Sequence, residues 1–115
     1  MGQLLYRKKK NSTKSIGGDS KFLMEKKNSF QLLESTVRGF ANHRRIEIMF
    51  LLEEKPNQSV ADISEYLNIN FKTASVHIQR LAVAKLLEKH HDGNIVRHVV
   101  TPQGKVVLKF LRILE

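Results

Sequence analysis

Ser59–Leu87, SVADISEYLNINFKTASVHIQRLAVAKLL, places apolar residues at helical spacing twice, first at Val60, Ile63, Tyr66 and Leu67, then at Ala74, Ile78, Leu81 and Ala82. Asn68-Ile69-Asn70 breaks the period, so two short helices meet at a tight corner. Ser59 stands three residues before Asp62, where a hydroxyl and a carboxylate can each satisfy an orphan N–H at the helix start. Asn70 is placed to cap the second helix, expected over 71–86.

With that second stripe turned inward, Lys72, Thr73, Ser75, Val76, Gln79 and part of Arg80 face outward. The face carries donors and methyl groups and no acid. Arg and Gln pair bidentately with guanine and adenine edges, and Thr and Val methyls can touch the thymine methyl, so the chemistry suits a DNA major groove. An ordinary solvated helix face is the alternative. The neighbouring elements weigh between the two.

Past Leu87, Glu88-Lys89-His90-His91 and Ile95–Val100 flank Asp92-Gly93-Asn94, residues that tolerate positive φ, which predicts a β-hairpin over 88–100. Helix, corner, helix and hairpin in this order resemble the winged-helix bacterial and archaeal regulators of the ArsR and MarR types. The resemblance rests on Ile63, Leu67, Thr73–Leu81, Leu86–Lys89, the Asp92-Gly93-Asn94 tip and Val99–Gly104, and the pattern fits from Arg38 to Leu114. It implies a mainly α, winged helix-turn-helix fold, about five helices with a two-stranded β-wing. It also implies a DNA-binding transcriptional regulator, a repressor by preference, with double-stranded DNA as partner.

In those families a glycine usually ends the second helix, because only Gly enters the left-handed cap without a Cβ clash. Here that position is Lys85. Either Lys85 takes the strained conformation, at about 1 kcal/mol, or the helix ends differently and carries the wing at another angle.

The chain has 115 residues, room for one domain, and small domains often gain core by pairing with a copy of themselves. It has no Cys, which excludes disulfides, Cys-based zinc structure and thiol catalysis. The formal net charge is +9. Residues 1–30 hold eight Lys or Arg against two acids, so most of the surplus sits there, and a strongly basic chain attracts polyanions. The apolar run Ile48–Leu52 is too short for a bilayer, and the basic start lacks the apolar stretch of a secretory signal. Tyr6 stands where myristoylation requires Ser or Thr. The expected location is the cytoplasm, on the nucleoid, with no membrane association.

Residues 1–28 show no sustained period and are expected to form a basic flexible arm, with 29–115 as the folded domain. The arm either lies along phosphates or serves only as a solubilising extension. From Phe30 a helical stripe runs through Leu33, Val37, Phe40 and Ala41. Asn42 can cap a second helix, His43–Glu54, with Ile46, Met49, Phe50 and Leu52 as its core face. Gln58 and Ser59 form, on the resemblance, a very short strand beside the wing. Thr101-Pro102 starts a last helix, where Thr caps and Pro fits the first position. That helix is apolar around much of its circumference, and the resemblance implies a homodimer through helices 30–41 and 102–114.

The expected DNA-binding residues are Lys72, Thr73, Ser75, Val76, Gln79 and Arg80 on the helix, with Lys89, Asn94 and Arg97 on the wing. His90, His91 and His98 are read as accompanying Arg97 at phosphates rather than as metal ligands, because strand neighbours point to opposite faces and no Cys completes a site. His77 lies beside the inward stripe, as a packing residue or a DNA contact. No Ser-His-acid arrangement and no phosphate-binding Gly loop occur, so neither an enzyme nor a cofactor is expected. The competing reading is a winged-helix protein-interaction module without sequence-specific DNA binding, which calls for an acidic or apolar outward face.

Overall fold

The computed structural model describes residues 17–115. In chain order the elements are α1 (Gly17–Phe40), α2 (His43–Glu54), α3 (Val60–Leu67), α4 (Phe71–Val83), β1 (Leu87–Asp92), β2 (Ile95–Val100) and α5 (Pro102–Leu114). Of the described residues, 17–34 belong to one compact unit and Ser35–Glu115 to another. The core and the candidate site lie in the second.

α1 starts at Gly17, not at Phe30 as the periodicity suggests. Lys21 to Lys27 are mostly strong helix formers, but their apolar residues Phe22-Leu23-Met24 form one run cut off from the Phe30 stripe by the polar Glu25–Ser29, so no continuous stripe announces that part of the helix. Of the arm expected over 1–28, residues 1–16 lie outside the described residues and the rest is helical.

Asn42 caps α2 by accepting from the amides of Arg44 (2.9 Å) and Arg45 (3.2 Å). The buried residues of α2 are Ile48, Met49, Leu51 and Leu52, whereas Ile46 and Phe50 are only partly covered. Met49 and Leu52 face inward as expected, and the uninterrupted apolar run from Ile48 to Leu52 explains the rest of the shift, since a continuous run carries no phase.

Around the corner the capping chemistry is as expected. Ser59 Oγ accepts from the Asp62 amide (3.1 Å), and Asp62 Oδ2 accepts from the Ser59 amide (3.0 Å). The Ser59 amide foremost, and the Ser59 hydroxyl beside it, hold the Asp62 carboxyl below its ordinary range. Asn70 Oδ1 accepts from Lys72 (2.8 Å) and Thr73 (3.3 Å) at the start of α4. Ile63 of α3 and Ala74, Ile78 and Leu81 of α4 are buried, while Tyr66, expected inward, is exposed.

α4 ends before its expected limit, and Lys85 takes the left-handed conformation at φ 64°. The Leu86 amide donates to Leu81 O and the Lys85 amide to Ala82 O, both at 2.9 Å. This pair of bonds is a Schellman motif built on a non-glycine residue.

β1 and β2 pair antiparallel from Leu87↔Val100 to Asp92↔Ile95, leaving a two-residue tip in which Gly93 supplies the positive φ. Gln58 bridges to His98 as a one-residue strand on the outer edge of β2. Thr101 Oγ1 accepts from the Gly104 amide (3.0 Å) and donates to Lys85 O (2.7 Å), so one hydroxyl caps α5 and ties it to the end of α4. Leu86, Leu87, Val100, Val107 and Leu108 then join Ile48, Met49, Leu52, Ile63, Ile78 and Leu81 in one core.

Candidate nucleic-acid interface

α4 is anchored through Ala74, Ile78 and Leu81, whose exposures are 0%, 2% and 0%. Its helical period therefore turns the opposite side to solvent. Lys72, Thr73, Val76, Gln79 and Arg80 are exposed, and Ser75 is partly covered. Val76 is 48% exposed, an apolar side chain held out among polar ones. No carboxylate is contributed by this helix. Asn70, Lys72, Thr73, Val76 and His77 line one shallow depression at its N-terminal half.

The wing residues are less uniform. Lys89 is exposed on β1 and Asn94 at the tip. Arg97 is half-buried and already engaged: its Nε donates to Asp92 Oδ2 (3.0 Å) and its Nη1 to Asn57 O (3.2 Å), with Asp62 Oδ2 at 3.9 Å. It braces the wing against the start of α3, and a phosphate would have to compete with two carboxylates for it.

The histidines part company. His98 is 1% exposed, and its Nδ1 sits 2.9 Å from Gln58 O, so that nitrogen carries the proton and donates. Burial pushes its pKa down, partly offset by the Gln58 bond. The reading of His98 as a phosphate contact is thereby corrected. The short strand expected at Gln58 is present as a single bridge, and its carbonyl is what engages the His98 ring. His90 pairs with Glu88 (3.3 Å), and among the described residues no group of three His, Asp or Glu side chains is placed to hold a metal ion.

His77 receives Arg45 Nη1 at 3.3 Å. Because Arg can only donate, His77 Nδ1 accepts there and the ring is neutral. Burial first, then Arg45 and Arg80, push its pKa down. Arg45 itself was not picked out by the sequence, since nothing in α2 alone shows that it reaches α4.

Residues 42–89 match the sequence profile of the bacterial regulatory proteins of the arsR family. The fold is that of a winged helix-turn-helix protein. No curated protein sequence matches it. Among solved structures, the homodimeric winged helix-turn-helix DNA-binding domain of Mb0332 from Mycobacterium bovis, a possible ArsR-family regulator, superposes with a TM-score of 0.71 at 21% identity. That match covers 77% of this chain and 82% of the other. NolR from Sinorhizobium fredii gives 0.71 at 16% identity over 78% and 90% of the two chains. The transcriptional repressor PagR of Bacillus anthracis gives 0.65 at 20% identity over 72% and 95%. At these identities the likeness speaks for the fold, a winged helix-turn-helix shared with all three. Among its described residues, no helix is long and apolar enough to cross a membrane.

Proposed function

We propose that this chain is a regulator of the ArsR type, a sequence-specific DNA-binding transcriptional regulator that works as a homodimer and represses. The observation that carries this reading is the exposure of Thr73, Val76 and Gln79 on an acid-free helix face while the opposite face is locked into the core. A protein-interaction module would present an acidic or apolar surface there, and this one is neither.

In this reading Lys72, Thr73, Ser75, Val76 and Gln79 abut bases in the major groove, and Arg80 reads a base or holds a phosphate. Lys89, Asn94 and Arg97 meet the backbone or minor groove from the wing. Support for the dimer comes from α5, where Val106, Phe110, Ile113 and Leu114 are exposed at helical spacing, and from the exposed Phe30, Leu33 and Val37 of α1. Mb0332 is described as homodimeric and DNA-binding, and PagR as a repressor. Two reading helices related by a two-fold axis would lie about 34 Å apart and select a near-palindromic site.

Selection of bound genomic fragments tests the reading directly. A shared near-palindromic sequence is expected. Gln79→Ala then relaxes preference at one position, and Lys89→Ala weakens binding to all sequences alike. Fragments with no sequence in common would overturn it.

A further inference from the structure

Beside the reading face, the C-terminal half of α4 and the last turn of α1 enclose a groove of 300 Å³. Gly39 makes the close approach possible, because a Cβ there would sit 2.4 Å from Ala84 Cβ. Val83 and Ala84 give it an apolar wall, Gln79 and Arg80 connect it with the reading face, and Arg45 reaches it from α2. No carboxylate lines it.

Arg45 is over-supplied with donors. Its Nη1 meets His77 Nδ1 and its Nη2 donates to Arg38 O, both at 3.3 Å. A guanidinium has five N–H groups, so three are left over. One of them, on Nε, is buried with no acceptor. Burial and the nearby Arg80 charge both work against the Arg45 cation and push its pKa down. Arg80 makes no ion pair among the described residues. Two guanidiniums that repel each other, one of them short of acceptors, face an acid-free groove. An anion between them would offset the repulsion and accept from the unused Nη hydrogens of Arg45.

We infer that this groove is a phosphate-binding site in which Arg45 and Arg80 together grip one phosphoryl group. The inference rests on the proposed DNA reading for its source, a backbone phosphodiester flanking the bases that Gln79 and Arg80 face. Phosphate suits it because its oxygens present acceptors to two donor forks at once. Arg45 is held by Arg38 O and His77, so its fork is oriented before the anion arrives.

The test measures equilibrium binding of the full chain to a mixed-sequence duplex against salt, for the parent, Arg45→Gln, Arg45→Lys and Arg80→Gln. Lys55→Gln, whose ammonium sits 5.4 Å from the Tyr66 ring centre, controls for the loss of one charge. Each lost phosphate contact lowers the slope of log K against log salt by about 0.9. Between about 50 and about 200 mM salt, the groove variants should then lose about 3.5-fold less affinity than the parent. The Lys55 variant should follow the parent, and Arg45→Lys should fall between. Arg80 is exposed, so its variant keeps the test open should Arg45→Gln fail to fold.

In a second arm, inorganic phosphate is titrated while the Arg45 and Arg80 Nε–H signals are followed by NMR. Saturable shifts with unchanged duplex slopes would keep the site and assign its ligand to free phosphate. Unchanged slopes in both groove variants together with no phosphate shift would overturn it. A parent that binds no duplex would sink the proposed function, and the phosphate arm would still decide the groove.

Discussion

Lys85→Gly should stabilise this protein, and the size of the effect follows from one dihedral angle. Lys85 sits at φ 64° as the residue just past α4, where both bonds of the Schellman motif require the left-handed conformation. An L-residue with a Cβ pays about 1–2 kcal/mol for that conformation. Glycine removes the clash but loses about 0.5–1 kcal/mol more conformational entropy on folding. The net gain is about 0.5–1 kcal/mol, which for a domain of this size raises Tm by about 2–8 °C. The Lys85 side chain is exposed and makes no ion pair among the described residues, so little else is lost with it. Urea unfolding at fixed protein concentration is the assay, with Lys85→Ala as the control that removes the charge and keeps the Cβ. The glycine variant should unfold at higher urea with an unchanged m-value, and the alanine variant should stay within about 0.5 kcal/mol of the parent. A glycine variant no more stable than the alanine one would refute the strain at this joint.

The neighbouring joint should respond in the opposite sense. A Cβ at Gly104 would lie 2.4 Å from Leu86 O and 2.6 Å from Val100 Cγ1, so Gly104→Ala should cost about 1–3 kcal/mol in the same urea assay. His98 makes stability depend on pH. Its folded pKa lies below the ordinary 6.5, so the unfolded chain binds the extra proton first, and stability is complete above about 6.5 and declines as pH falls below it. His98→Gln should flatten this decline, and an equally steep one in the variant would count against it. Ile113 is 74% exposed, and Ile113→Glu with Phe110→Glu should convert a sedimenting dimer into a monomer. A parent that is monomeric at micromolar concentration would count against the proposed interface.

The corner and its caps were legible because capping is local chemistry. Ser59, Asp62, Asn70 and Thr101 act on amides two or three residues away, and a linear pattern carries that information. Lys85 was legible for the same reason, as a residue with a Cβ where the motif calls for none. The start of α1 and the inward face of α2 were not. In α1 the apolar run Phe22-Leu23-Met24 is separated from the Phe30 stripe by five polar residues, and in α2 the run from Ile48 to Leu52 carries no phase. His98 and Arg45 were hidden more deeply, since their partners stand 40 and 32 residues away. Pattern alone assigned both imidazole and guanidinium to solvent or to no role. Packing gave one to the core and the other to the edge of the reading face.

The position of the wing relative to α4 is set by backbone geometry more than by side-chain packing. Lys85 turns the chain, Thr101 joins Lys85 O to the first turn of α5, and Gly104 lets α5 come against Leu86 O. The Thr101 amide also donates to Leu86 O at 3.1 Å, so the two ends of the hairpin and the last helix meet at three consecutive residues of the α4–β1 junction. Midway along β2, Arg97 fastens the wing to Asp62 and Asn57 beside the start of α3. A hairpin held at its base and in mid-strand cannot swing freely. Lys89 is therefore carried at a fixed offset from Thr73 and Gln79. That offset must match the distance between a base edge and its own backbone for one protomer to use both. Loosening Arg97 should thus widen the range of sequences bound before it abolishes binding, whereas removing Lys89 leaves the offset intact and weakens every sequence alike.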